Sequence, residues 1–239
     1  MDFVLLPTRA LVDPAVGVTR AVSSRRWAWP LLLLIAATVF SGVAFALHYD
    51  PAPAVIRGLE MSGEIRNTTE KELADAITTA GRVKLVAGVA NGLFLVPLYV
   101  LLFAVAVKVA CWIVGRPIRF ADAFTSASIS QLPIALYQVL HGVVALASPS
   151  LGDSQEHTLL PSHLGRFLDG LSPELLRLAS VADLFNLWAA ILLGFGIAAG
   201  TGMKAWKGVA FALFLYLLFA GVFLVGLPSM ALGTGGGPK

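Results

Sequence analysis

From Leu85 to Val107 the chain runs LVAGVANGLFLVPLYVLLFAVAV without a single Asp, Glu, Lys or Arg. A bilayer core about 30 Å thick is spanned by roughly 20 such residues in a helix. Four further stretches repeat the pattern: Pro30 to Leu47, Ala123 to Ala147, Leu184 to Met203 and Val209 to Leu227. Only helices and closed barrels satisfy their backbone in lipid, and continuous apolar runs of this length belong to helices. The composition agrees: 57% of the 239 residues are hydrophobic and 13% charged, about half the charge of a soluble domain. The expected fold class is an all-α polytopic membrane protein with five transmembrane helices. An N-terminal interfacial helix and short helices in the two outer loops complete it.

The organisation follows. Residues 1–29 form a cytoplasmic leader, residues 30–232 a five-span membrane domain, and residues 233–239 a Gly-rich flexible tail. The spans lie at about 30–48, 85–107, 123–147, 184–203 and 208–227. No convincing cleavage site follows the first apolar run, so it reads as an uncleaved span. Lysine and arginine in the short connections orient the bundle. The leader carries Arg9, Arg20, Arg25 and Arg26; the second connection carries Lys108, Arg116 and Arg119; the fourth carries Lys204 and Lys207. With alternating helices these share one side, the cytoplasmic one. The longer loops, 49–84 and 148–183, hold most of the acids and face outward, as does the C-terminus.

Asp13-Pro14 is a helix cap followed by the residue preferred at the first helical position. The next residues place Val16, Val18 and Val22 with Arg20, Arg25 and Arg26. That pattern suits a helix lying at the interface, valines in lipid and arginines at head groups. Thr69 and Glu72 fit a capping box, with Leu73 and Ile77 leading toward span two. Ser172-Pro173-Glu174 marks another helix start, with Leu175, Leu176 and Leu178 on the membrane surface.

Catalytic signatures are missing: there is no HExxH, GxSxG, P-loop or Rossmann glycine pattern. His157 and His163, six apart in a loop, are too unspecific for a metal site, and one cysteine, Cys111, excludes a disulfide framework. Cys111 reads as a small packing residue rather than an acylation site. No cofactor or metal is expected, and the chain is not expected to be an enzyme. Polar residues inside the spans are few: Asn91 in span two and Gln131, Gln138 and His141 in span three, where Pro133 interrupts the backbone ladder. They read first as interhelical hydrogen-bonding groups and second as a polar stripe along a hydrated path.

Span four is rich in small residues. Gly196 and Gly200 form GxxxG, while Ala190, Gly194, Ala198 and Gly202 recur every fourth position. Gly88 and Gly92 offer a matching GxxxG in span two. In water these glycines would weaken a helix; in lipid they let a neighbouring backbone approach. At the outer end of span four, Asp183 is expected to cap the helix, Asn186 lies one turn on, and Trp188 anchors at head-group level.

Three stretches resemble the Yip family of small membrane proteins, in its bacterial form. They are LVDPAVGVTRAVSSRRWAWPLLLL, GRPIRFADAFTSASISQLP and VADLFNLWAAILLGFGIAAGTGMKAWKG. The first looks like the family's interfacial opening and the second like its cytoplasmic turn. The third looks like an entry to span four through Asp183, Phe185 and Trp188. The resemblance implies five helices with a cytoplasmic N-terminus, and partnership with other membrane proteins. Eukaryotic members act with small GTPases in vesicle traffic, but their acidic-aromatic cytosolic motif is not evident in this leader. The high Ala, Arg and Gly usage is compatible with a bacterial plasma membrane.

The expected function is that of a non-enzymatic adaptor or accessory subunit of a membrane complex. Its expected partners are membrane lipids and another integral membrane protein, such as an ABC-type exporter or a second copy; nucleic acid is not among them. The alternative is a small transporter, channel or lipid-handling protein built on the span-three stripe.

Overall fold

A computed structural model describes residues 9–155, 159–160, 162 and 183–220. His157, His163, the helix start at Ser172, the end of span five and the tail lie outside them. Among the described residues the structure is helical, and Tyr49 and Leu151 form an isolated β-bridge. The elements are α1 (Pro14–Ser23), α2 (Ala28–His48), α3 (Ala52–Ser62), α4 (Glu70–Ala90), a π-turn (Asn91–Leu95) and α5 (Val96–Ile113). They continue with α6 (Phe120–Ser130), α7 (Leu132–Ala147), a 3-10 turn (Asp153–Gln155), α8 (Leu184–Thr201) and α9 (Ala205–Phe219).

Four described helices are long and apolar enough to cross a membrane: Ala28–His48, Glu70–Ile113, Phe120–Ala147 and Leu184–Thr201. The fifth expected span appears as α9, a shorter apolar helix of 15 residues. Glu70–Ile113 is 44 residues long, about 66 Å at 1.5 Å per residue. It exceeds any bilayer core, so its charged first half, Glu70 to Lys84, stands outside the apolar stretch. Helix α3 is a short helix in the first outer loop, as expected there, although its bounds had no sequence signal. Asp50 accepts from the Ala52 N–H at 3.0 Å just before it, and Gly63 (φ 75°) ends it.

Proline accounts for both irregularities within the long helices. Pro97 has no N–H and crowds the carbonyl four residues back, that of Leu93. The ladder there widens into the π-turn, with the Val96 N–H bonding to the Asn91 carbonyl. Pro133 acts likewise on Ile129, and α6 gives way to α7 at Gln131, whose N–H reaches only to the Ser128 carbonyl at 3.3 Å.

The described chain divides into two compact units. The first comprises Met1–Leu31, Val100–Ile134 and Pro161–Lys239. In it α8 packs against α9, α6 and α1. Val107, Cys111, Ile118, Ala123, Leu193, Ile197 and Ala212 form its apolar core. Here two of the three leader valines differ from expectation, while Val16 is 54% exposed. Val18 and Val22 of α1 are 0% and 3% exposed, covered by α8 and α6 rather than by lipid. An apolar helix face suits either environment, and only the tertiary structure discriminates. The end of α1 explains part of the placement. Arg26 N–H bonds to the Ala21 carbonyl and Arg25 N–H to the Val22 carbonyl, a Schellman closure that requires a left-handed residue. Arg25 supplies it at φ 52°, and its guanidinium lies 3.7 Å from Asp122 of α6.

The second unit comprises Leu32–Tyr99 and Ala135–Leu160. Ala44, Phe45, Ala145 and Leu151 form its core, with Tyr49 and Leu159 against them. The Leu151 N–H bonds to the His48 carbonyl and the Asp50 N–H to the Leu151 carbonyl, both at 2.9 Å, tying the ends of α2 and α7 together.

Candidate functional site

Within the first unit, α6 carries a run of buried hydroxyls that the helix itself satisfies. Thr125, Ser126 and Ser128 donate to the carbonyls of Ala121, Asp122 and Phe124 at 2.7, 2.7 and 2.8 Å. Ser130 donates to Ala127 at 2.8 Å, and Gln131 Nε2 reaches Ser130 Oγ at 3.4 Å. Such back-bonding lets small polar side chains line an apolar contact without orphaned groups.

Helix α8 lays its small residues on these surfaces. A Cβ on Gly196 would strike Ser126, at 2.5 Å from its Cβ, and one on Gly200 would strike Ile118, at 2.5 Å from its Cδ1. Gly194 meets Val209 and Gly208 of α9, and Gly208 meets Gly194 and Ala198 in return. Ala190 is also buried, whereas Gly202 lies at the exposed C-cap in the left-handed region (φ 72°). The GxxxG of span two is used elsewhere: Gly88 packs on Gly42, and Gly92 on Val39 and Ile35, all in α2. It is therefore a partner for span one.

Asp183 caps α8, accepting from the Asn186 N–H at 2.9 Å through Oδ1 and from the Ser162 hydroxyl through Oδ2. The Leu184 N–H bonds to the Ser162 carbonyl. Asp183 is buried, the Asn186 side chain is exposed and Trp188 is half-buried. What joins Asp183 to Asn186 is thus a capping bond to the backbone, not a pair of converging side chains. Ser162 had no sequence signal as its second partner.

In the second unit, His141 of α7 is buried and shares a 2.8 Å hydrogen bond with Ser41 of α2 through Nδ1. Its ring stacks at 6.2 Å on Phe45 and lies 6.1 Å from Tyr137. Phe45 stacks on Tyr49, and the Lys84 ammonium stands 5.2 Å from both ring centres. Lys84 also pairs with Asp153 at 3.5 Å. Gln138 is half-buried on the same helix. The fourth polar residue, Asn91, is exposed at the start of the π-turn, with exposed Leu93, Phe94 and Leu95 beside it. Its side chain makes no hydrogen bond among the described residues.

Of the three leader arginines assigned to head groups, Arg25 instead meets Asp122, and Arg20 and Arg26 also have partners. The Cys111 sulfur is buried in the apolar core, a packing position that an acylating enzyme does not reach. Among the described residues, no group of three or more His, Cys, Asp or Glu converges on a metal-sized space.

A family model of the Yip1 domain matches residues 8–227. The chain belongs to the Yip1 domain family. The match runs from the leader, past α1, to beyond α9, so every contact described above lies within the Yip1 domain. It is a multi-pass membrane protein with apolar helices of spanning length. No curated protein and no solved structure matches the chain.

Proposed function

We propose that this Yip1-domain chain is a non-enzymatic adaptor, or accessory subunit, that docks against another integral membrane protein. The observation that carries this reading is Asn91. Its exposed amide lies six residues past Leu85, about 9 Å into the apolar stretch at 1.5 Å per residue. The second spanning helix is also the least covered, with 17% of its most apolar stretch buried against 44–50% for the other three. An amide facing hydrocarbon without a partner costs several kcal/mol. A polar group from a neighbouring helix offsets that cost, and such interhelical bonds are worth about 0.6–2 kcal/mol. The buried polar groups point the same way. Those of α6 bond to their own helix and His141 bonds to Ser41, which leaves little for a substrate path.

In this reading α9 continues as a fifth span, the N-terminus is cytoplasmic, the C-terminus is external and the membrane is a bacterial plasma membrane. The arginine and lysine asymmetry of the short connections supports the orientation. The partner is an exporter of the ABC type or a second copy of the chain. A photo-crosslinking residue at Phe94, in native membranes, should trap one discrete partner band. The band should weaken in Asn91→Leu. Crosslinks to lipid alone would defeat the proposal.

A further inference from the structure

On the basic side, three helix ends of the first unit surround a pocket of about 400 Å³. Helix α5 ends at Ile113 and turns through Gly115, which takes φ 69°. That closure bonds the Arg116 N–H to the Cys111 carbonyl and sends Arg116 to the pocket wall. Helix α8 ends at Thr201, and α9 begins after Lys204, which caps it without a side-chain bond. The pocket is lined by Arg116, Lys204 and Lys207 together with Val114, Met203 and Phe211. It contains three cations and no carboxylate. Arg116 and Lys204 make no ion pair among the described residues, and Lys207 stands 5.6 Å from the Trp206 ring centre. The first turn of α9 adds the positive end of a helix with uncapped N–H groups.

We infer that this pocket binds the phosphate head group of an anionic membrane lipid. Three unneutralised cations around one pocket call for an anion, their full charges outweighing the partial negative ends of α5 and α8. The apolar half of the lining, Val114, Met203 and Phe211, has no use for a small soluble one. The surroundings are also lipid-facing: Trp112 and Ile113 are each 71% exposed and Trp206 is 65% exposed. Tryptophans at that level mark the interface between head groups and chains. The phosphate meets Arg116, Lys204 and Lys207, while the upper acyl chain lies on Phe211 and Met203. Basic pockets between membrane helices take anionic head groups in this way.

The test uses the full chain in nanodiscs of phosphatidylcholine and phosphatidylglycerol at three to one, then native mass spectrometry of lipid retained after extraction. The wild type should keep phosphatidylglycerol in preference to phosphatidylcholine. Arg116→Gln/Lys204→Gln/Lys207→Gln should lose that preference by on the order of 100-fold, roughly fivefold per cation. Arg9→Gln/Lys108→Gln/Arg119→Gln removes equal charge from the same side and should retain it. Each single pocket substitution gives a graded loss, so the prediction stands even where the triple variant inserts poorly. Equal loss in both triple variants, or no preference in the wild type, would overturn the inference. So would complete displacement by millimolar glycerol phosphate, which would mark a site for soluble phosphate, or retention of an acidic polypeptide in place of lipid.

Discussion

Gly42 and Gly88 pack so closely that a Cβ on Gly42 would stand 2.8 Å from the Cα of Gly88, and one on Gly88 3.0 Å from the Cα of Gly42. Backbone meets backbone there, and nothing flexible can move aside. Gly42→Val or Gly88→Val should therefore separate α2 from α4 and cost about 1–3 kcal/mol, the usual range for overpacking. Gly58 of α3 is the control, because an added Cβ meets nothing within 4 Å. Gly58→Ala should be neutral or stabilise by up to about 1 kcal/mol through helix propensity. Thermal or denaturant unfolding in detergent reads both; a Gly88→Val protein as stable as the wild type would contradict this contact.

Ser41 and His141 satisfy one another in a buried, apolar setting. Removing either side chain forfeits this buried bond, at about 1–3 kcal/mol; removing both costs less than the sum. Ser41→Ala, His141→Phe and the double variant should thus show positive coupling in a stability cycle. The same residues test the transporter alternative. Flux into liposomes that disappears in Gln138→Leu/His141→Leu, with stability matched, would replace the adaptor reading; unchanged background flux would support it.

Span positions were legible because a charge-free run of membrane length has few other uses. The breaks at Gln131 and in the π-turn trace to Pro133 and Pro97, and neither proline changes the apolar run. The partners of the polar and small residues were not legible. Gly42 and Ser41 sit among apolar letters in span one, and only tertiary packing gives them Gly88 and His141. Lys84 is the last residue of the loop 49–84, just before the apolar run, but its four-carbon stem carries the ammonium to Phe45, Tyr49 and Asp153. The burial of Val18 and Val22 was not legible for a related reason: hydropathy does not distinguish a lipid-facing valine from one packed on protein.

Arg25 holds a left-handed conformation that costs a non-glycine residue roughly 1–2 kcal/mol. It offsets this with an ion pair to Asp122, whose partners are 55% and 15% exposed; at such exposure the pair is worth about 1 kcal/mol or less. Arg25→Gly should be neutral to slightly stabilising. Arg25→Val, β-branched and poorly suited to φ 52°, should destabilise by more than 1 kcal/mol. A change of equal size in both would show that the side chain, not the backbone, governs this turn.

Asp183 holds the start of α8 through the Asn186 N–H and joins it to Ser162. Asp183→Ala should cost about 0.5–2 kcal/mol as a lost cap, and Asp183→Asn should recover most of it. Hydrogen exchange should localise the loss to the first turn, Leu184 to Leu187. Loss spread evenly over α8 would indicate a role beyond capping.

The capping box of α4 gives a pH signature. Thr69 Oγ1 accepts from the Glu72 N–H at 3.3 Å, while the Thr69 N–H and hydroxyl both donate to Glu72 Oε2 at 2.8 Å. The Thr69 backbone bond, then its hydroxyl, hold the Glu72 carboxyl below its ordinary value of 4.5. A depressed carboxyl contributes stability that is fully present above the unfolded value and fades as pH falls through the folded one. Exchange protection in residues 70–74, corrected for intrinsic rates, should thus be flat from pH 7 to about 5 and decline below 4.5. Glu72→Gln should abolish that acid-side decline while keeping part of the protection, because its amide oxygen still accepts from Thr69. An unchanged acid profile in Glu72→Gln would assign the titration to another group.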